Sequence, residues 1–244
     1  MPDWPAPVEI FNAGGASAFL LLCEHAANHI PAEYDGLGLS KYDLSRHIAW
    51  DIGAAEVARR LSALIDAPAY VASYSRLLID LNRPLAAASS IVTRSEDTDI
   101  PGNAHLDDAE RARRAVRIFR PFHDAVTAHL DRCKTEGRTV RLVAVHSFTP
   151  VYRGIARPWH AGVLFDRAEA FGRAVIAGLR APGVIVDANV PYVSSRDEDY
   201  AVPVHGDDRG IPAILVEIRQ DLIADSAGQA EWADRLAAAL ISAG

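Results

Sequence analysis

Cysteine is nearly missing from this sequence. Its two residues, Cys23 and Cys133, lie far apart and fit no zinc-binding spacing, so neither a disulfide framework nor a cysteine metal knot is expected. Long apolar runs are missing too, none approaching the roughly 20 residues of a membrane span. Positive charge is in deficit: the formal net charge of −7 argues against a nucleic-acid surface. Met1-Pro2-Asp3-Trp4-Pro5 contains no basic stretch leading into an apolar core, so no signal peptide is expected and a cytoplasmic setting is anticipated. There is no Gly-x-Ser-x-Gly elbow, P-loop, Gly-x-Gly-x-x-Gly turn or His-Glu-x-x-His helix. Internal repeats and low-complexity tracts are absent as well.

What remains is a chain of 244 residues, half of them hydrophobic, which suits one α/β domain over 1–244 with a packed core. Residues 1–16 read as an edge strand and a turn. Short apolar runs at 18–22, 69–72, 77–81, 140–145, 162–165, 184–186 and 214–218 read as strands. Helical spacing of Leu44, Ile48, Ile52, Val57, Leu61 and Leu64 predicts a helix over about 44–65. Others are expected from Asp107 or Asp108 to about Glu136, over 167–180 and over 228–242. Arg111, Arg113, Arg114 and Arg117 read most simply as a solvated basic face. The stretch 84–106 shows no periodicity and is long enough to be functional. Strands alternating with helices favour a mostly parallel sheet covered on both faces.

Chemistry gathers at the downstream ends of the apolar runs, where ligands bind in open α/β sheets. Cys23-Glu24-His25-Ala26-Ala27-Asn28-His29 follows the first. Asp80-Asn82-Arg83 follows another, His146 a third, and Glu217 with Arg219 mark the last. His25 and His146 are candidate metal ligands, since a catalytic zinc needs about three protein ligands and one open position. Asp51, Glu24 and Asn28 compete for the third place, Asp51 reading otherwise as a solvated carboxylate one helical turn after His47. Glu217, inside an apolar strand, is either a general base raised by burial or half of a structural pair with Arg219. Arg83 beside Asn82 suits a substrate carboxylate, the plainer reading being a salt bridge to Asp80. Arg76, Arg153, Arg196 and His205 are weaker candidates for that task. His47, His123 and His129 fall in helical patterns and read as surface or packing residues. Ser147 lacks the surroundings of a nucleophile, and Cys23 reads as a small buried apolar residue.

Five segments in order resemble the N-formylglutamate amidohydrolase family. They are Glu24–Pro31, His47–Ala54, Arg76–Pro84, His146–Pro150 and Glu217–Leu222. The resemblance implies hydrolysis of the formyl amide of N-formyl-L-glutamate to formate and glutamate, in histidine degradation. More distantly the chain resembles zinc carboxypeptidases and aspartoacylase. Their Asn-Arg carboxylate grip is matched by Asn82-Arg83, and their Glu-Leu-Arg base motif by Glu217-Ile218-Arg219. Asn28 stands where their ligand glutamate would be, which makes Asp51 the substitute third ligand beside His25 and His146. The implied fold is a three-layer α/β sandwich with a mixed, mostly parallel sheet. The implied cofactor is Zn2+ or another divalent metal, and the implied partner a small anionic N-acyl amino acid. A related deacylase of different substrate and a metal-free binder of anionic metabolites are the rival expectations.

Overall fold

The computed structural model describes residues 3–244; the first two residues of the segment read for a leader lie outside them. The chain runs through β1 (Val8–Phe11), β2 (Phe19–Cys23), α1 (Lys41–Ser45), α2 (Ala54–Leu64) and β3 (Ala69–Ala72). A small hairpin, β4 (Arg94–Ser95) and β5 (Thr98–Asp99), precedes α3 (Asp108–Arg114) and α4 (Arg120–Thr135). Then come β6 (Arg141–Phe148), a second hairpin of β7 (Val151–Tyr152) and β8 (Ile155–Ala156), β9 (Ala161–Leu164) and α5 (Glu169–Leu179). The chain closes with β10 (Val186–Ala188), β11 (Ala213–Arg219) and α6 (Ser226–Ala243).

Seven strands form one sheet in the order β1-β3-β2-β6-β11-β9-β10. β3, β2, β6 and β11 run parallel, while β1 joins antiparallel at one edge and β9 pairs antiparallel with β11. The fold is therefore a three-layer α/β sandwich with a mixed, mostly parallel sheet. α2, α5 and α6 pack together in one layer, and α4 with the helical turn Ala201–Gly206 covers the sheet elsewhere. Burial on both faces explains why β2, β3 and β9 are apolar at every position and not alternating. No helix among the described residues is long and apolar enough to cross a membrane. Cys23 and Cys133 are both free and buried.

Three expectations need correction. The helix over 44–65 is broken: α1 stops at Ser45, α2 starts at Ala54, and 46–53 is irregular. Carbonyls that would bond within a helix go elsewhere. His47 and Ile48 accept from the Arg76 guanidinium, Ala49 from Ser75 Oγ and Ile52 from Ser147 Oγ. Gly53 sets the restart, with φ of 82°, and a Cβ there would stand 2.2 Å from the Ile223 carbonyl oxygen.

The run 77–81 is buried but is no strand. Side chains satisfy its carbonyls: Leu77 accepts from Asn103 Nδ2, Leu78 from Arg114 Nη1 and Leu81 from His123 Nε2. That also removes Arg114 from the solvated basic face, because it is 1 % exposed and bonds Asn103 Oδ1 and Glu110 as well, while Arg111 and Arg117 stay exposed. The long helix forms as expected, with Asp107 accepting from the Glu110 N–H at its start. A π-turn, Ala115–Phe119, widens it just before Pro121, whose nitrogen has no hydrogen to give.

Candidate active site

The parallel strands bring their downstream ends together. β2 ends at Cys23 and delivers Glu24 and His25, β6 carries His146, and β11 carries Glu217 directly beside it in register. Asp51 comes from the irregular 46–53 segment, anchored there by its own N–H on the His25 carbonyl at 2.8 Å. The expected helix position for Asp51 is wrong, and so is the solvated reading: the residue is 1 % exposed. His25, Asp51, His146 and Glu217 line a cavity of about 450 Å³, a volume typical of small-molecule sites.

At its floor, one ligand atom from each of His25, Asp51 and His146 lies within 4.8 Å of the others. Asp51 Oδ2 is 3.0 Å from His146 Nδ1 and 3.5 Å from His25 Nδ1. The opposite ring nitrogens meet further carboxylates, His146 Nε2 on Glu24 at 2.9 Å and His25 Nε2 on Asp80 at 2.7 Å. Imidazoles whose Nε2–H donates to a buried carboxylate present Nδ1 as the free lone pair, which is how metal-binding histidines are oriented. Two nitrogens and a carboxylate oxygen form a donor set suited to zinc. Asp51 Oδ1 and Glu24 Oε1 are buried without a hydrogen bond, although Oδ1 makes an ion contact with Arg76 Nη1 at 3.1 Å. His25, Asp51 and His146 therefore fit a divalent cation.

The electrostatics follow from burial. For His146, burial favours the neutral ring, but hydrogen bonds to Asp51 and Glu24 outweigh it and raise the pKa well above the ordinary value. His25 is raised too, with burial overcome by Asp80 and Asp51. Burial pushes the Asp51 carboxyl up, yet Arg76, His25 and His146 together hold it well below the carboxylate range. Asp80 is held low in the same way, by His25 against burial. Glu217 goes the other way: burial lifts it to about 7, with His146 lowering and Asp51 raising it further. Its Oε2 is buried and makes no hydrogen bond. A carboxylate near neutrality, open to a proton, is what general-base work needs.

The remaining sequence candidates separate. Arg76 is fastened to the His47 and Ile48 carbonyls and contacts His25 Nδ1 at 3.2 Å. Asn82 and Arg83 line the cavity, but Asn82 Oδ1 accepts the Tyr200 and Ala201 N–H groups. Arg83 Nη1 bonds Asp199 at 2.8 Å and the Glu198 carbonyl at 2.6 Å, so its ion pair is with Asp199 and not Asp80. Arg219 does not pair with Glu217; it binds Asp221 at 2.8 Å, outside the cavity wall. His205 is buried behind the wall with Nε2 2.9 Å from His123 Nδ1. Arg196 pairs with exposed Asp208, and Asn28 bonds the Leu44 carbonyl, away from the cluster. Ser147 Oγ donates to Ile52, which leaves it no base. His47 lines the cavity near Glu96 instead of lying on a helix face, while His123 and His129 are buried in packing.

Sequence reasoning missed two partners. Asp80 appears in the sequence only as a neighbour of Arg83, and nothing local ties it to His25, 55 positions away. Arg157, which packs on the cavity rings Phe148, Tyr152 and Tyr192 and donates to the Tyr192 hydroxyl, carries no motif at all.

Residues 17–224 match the profile of the family described as N-formylglutamate amidohydrolase. The structure of a gene product from Agrobacterium tumefaciens matches with TM-score 0.96 and 38% identity, over 100% of this chain and 96% of that one. The structure of N-formylglutamate amidohydrolase from Ralstonia eutropha JMP134 shares the fold, with TM-score 0.71, 19% identity and coverage of 98% and 97%. No curated protein matches the sequence.

Proposed function

The chain belongs to the N-formylglutamate amidohydrolase family, and from that premise we propose a metal-dependent amidohydrolase that cleaves the linear amide of an N-acyl amino acid, N-formyl-L-glutamate first among them. One observation carries the reading: two imidazoles, each with Nε2 on a buried carboxylate, converge on Asp51 in the cavity that also holds Glu217. His25, His146 and Asp51 would hold zinc or another divalent cation, which supplies Lewis acidity toward water and the amide carbonyl.

The protein's own groups account for the rest. Glu217, near 7 and with a free oxygen, takes a proton from the attacking water and returns it to the leaving nitrogen. Arg76 sets a fixed positive charge beside the cluster, the kind of group that stabilises a developing oxyanion. Arg83 keeps guanidinium N–H groups beyond its Nη1 contacts for a substrate carboxylate, with Asn82 shaping the wall behind it.

The decisive experiment pairs metal analysis of protein purified without chelator with a hydrolysis screen over N-formyl, N-acetyl and peptide amides of glutamate and aspartate. About one equivalent of metal and chelator-sensitive release of formate are expected. Binding of these anions with neither metal nor turnover would replace the enzyme by a metal-free metabolite binder.

A further inference from the structure

Three arginines at the cavity or its rim already face carboxylates. Arg76 meets Asp51 at 3.1 Å, Arg83 meets Asp199 at 2.8 Å and Arg46 meets Glu96 at 2.9 Å. Arg157 differs. Its guanidinium carbon lies 4.6 Å from the Tyr152 ring centroid, 4.9 Å from Tyr192 and 5.7 Å from Phe148. Its Nη1 donates to the Tyr192 hydroxyl at 3.0 Å, and no carboxylate pairs with it among the described residues. The three rings all line the cavity that contains Glu217.

Aromatic faces hold a guanidinium by its plane and leave its in-plane N–H edge available. That edge is the part that recognises a planar carboxylate with two parallel hydrogen bonds. Here Nε and Nη2 make no hydrogen bond within the described residues, and the hydroxyl of Tyr192 fixes the third nitrogen. A substrate with one carboxylate needs one cationic partner, which the Arg83 wall offers. An additional arginine, packed on three rings that line the same cavity and without a counter-ion, answers to a second negative charge.

We propose that Arg157, oriented by Tyr192, is the specificity-determining residue that takes the side-chain carboxylate of the substrate. The assignment rests on the amidohydrolase reading for its substrate and on the Arg157 geometry for its site. It makes Arg157, directly after the β7–β8 hairpin, the residue that selects acidic over neutral side chains in N-acyl amino acids.

The test compares N-formyl-L-glutamate with N-formyl-L-glutamine, its isostere with a neutral side chain, in the wild type and in Arg157→Gln. The wild type should favour the glutamate compound. The variant should raise KM for it by roughly 10- to 100-fold, the range of a charge-assisted hydrogen bond. Its kcat, and both constants for the glutamine compound, should stay within about threefold, as expected where no charge-assisted bond is lost. Arg157→Lys should recover part of the loss, because charge remains and the fork does not. Equal losses on both compounds, no loss on either, or a wild-type preference for the neutral one would overturn the assignment. Should the wild type hydrolyse neither compound, the amidohydrolase reading fails on its own and calorimetry with glutarate still decides about Arg157. Binding at least tenfold weaker in Arg157→Gln supports the site; equal affinity, or no binding to the wild type, removes it.

Discussion

At the floor of the cavity His25, Asp51 and His146 are each at most 3 % exposed, and their ring nitrogens and oxygens are engaged on several sides. At the mouth, Tyr192 is 42 % exposed, and Arg83, Glu198 and Asp199 meet across two loops. The floor is set by strand ends and by the 46–53 segment bonded to them, with charges facing each other out of water, where electrostatic contacts are strong. The mouth is set by partly hydrated ion pairs, which are individually weak. On the proposed function, chemistry belongs to the floor and the choice of substrate to the mouth.

The largest effect tests the floor directly. His146→Ala removes one donor and leaves Glu24 and Asp51 without the imidazole they share. Bound metal, measured by emission spectrometry, should fall to near zero and hydrolysis with it; a full equivalent retained would break the floor as a metal site. Next, Glu217→Gln should bind metal normally while kcat drops roughly 10²- to 10⁴-fold, the usual worth of a general base. A near-normal kcat would take Glu217 out of the reaction.

Behind the cavity wall lies the buried His123–His205 pair, which fastens the Leu81 carbonyl just ahead of Asn82 and Arg83. Burial pushes His205 down to about 4 from an ordinary 6.5, with Glu24 raising it and Arg209 lowering it. The unfolded chain takes up this proton first. The contribution of a neutral His205 is thus fully present above about 6.5 and is lost as pH falls toward 4, to a total of about 3 kcal/mol. Urea midpoints at pH 7 and pH 4.5 should differ less in His205→Gln than in the wild type. An unchanged difference would show that this pair does not govern acid lability.

Glu24→Gln and Asp80→Asn probe how the imidazoles are oriented. Each should weaken metal binding about 10- to 100-fold in a chelator competition, as losses of orienting carboxylates do. If neither changes the affinity, tautomer control by these groups is refuted. The smallest effect is expected at the mouth: Asp199→Asn should shift KM for an N-acyl amino acid by about two- to fivefold, with metal content untouched. Loss of metal in that variant would mean that floor and mouth are not separable.

Much of the floor can be read along the chain. His25, His146 and Glu217 follow or interrupt short apolar runs, and a buried parallel sheet converts that pattern into proximity. Asp51 is harder, since Leu44, Ile48 and Ile52 keep helical spacing through a segment that is not helical. The carbonyls there are captured by Arg76, Ser75 and Ser147, all distant in sequence. The sequence offers Asp51 as one of three candidate third ligands, but its periodicity misplaces the residue on a helix. The run 77–81 looks like a strand for the parallel reason: apolar residues report burial, and the side chains of Asn103, Arg114 and His123 replaced the ladder.

Sequence alone determined the α/β class, the strand ends that bear polar groups and the two imidazoles with Glu217 beside them, because hydrophobic periodicity is a local property. Tertiary structure alone decided that Asp80 and Glu24 back the histidines, that Arg83 answers to Asp199, and that Arg157 stands free among aromatic rings. Those pairings depend on which charges meet once water is excluded, and no spacing along the chain encodes them.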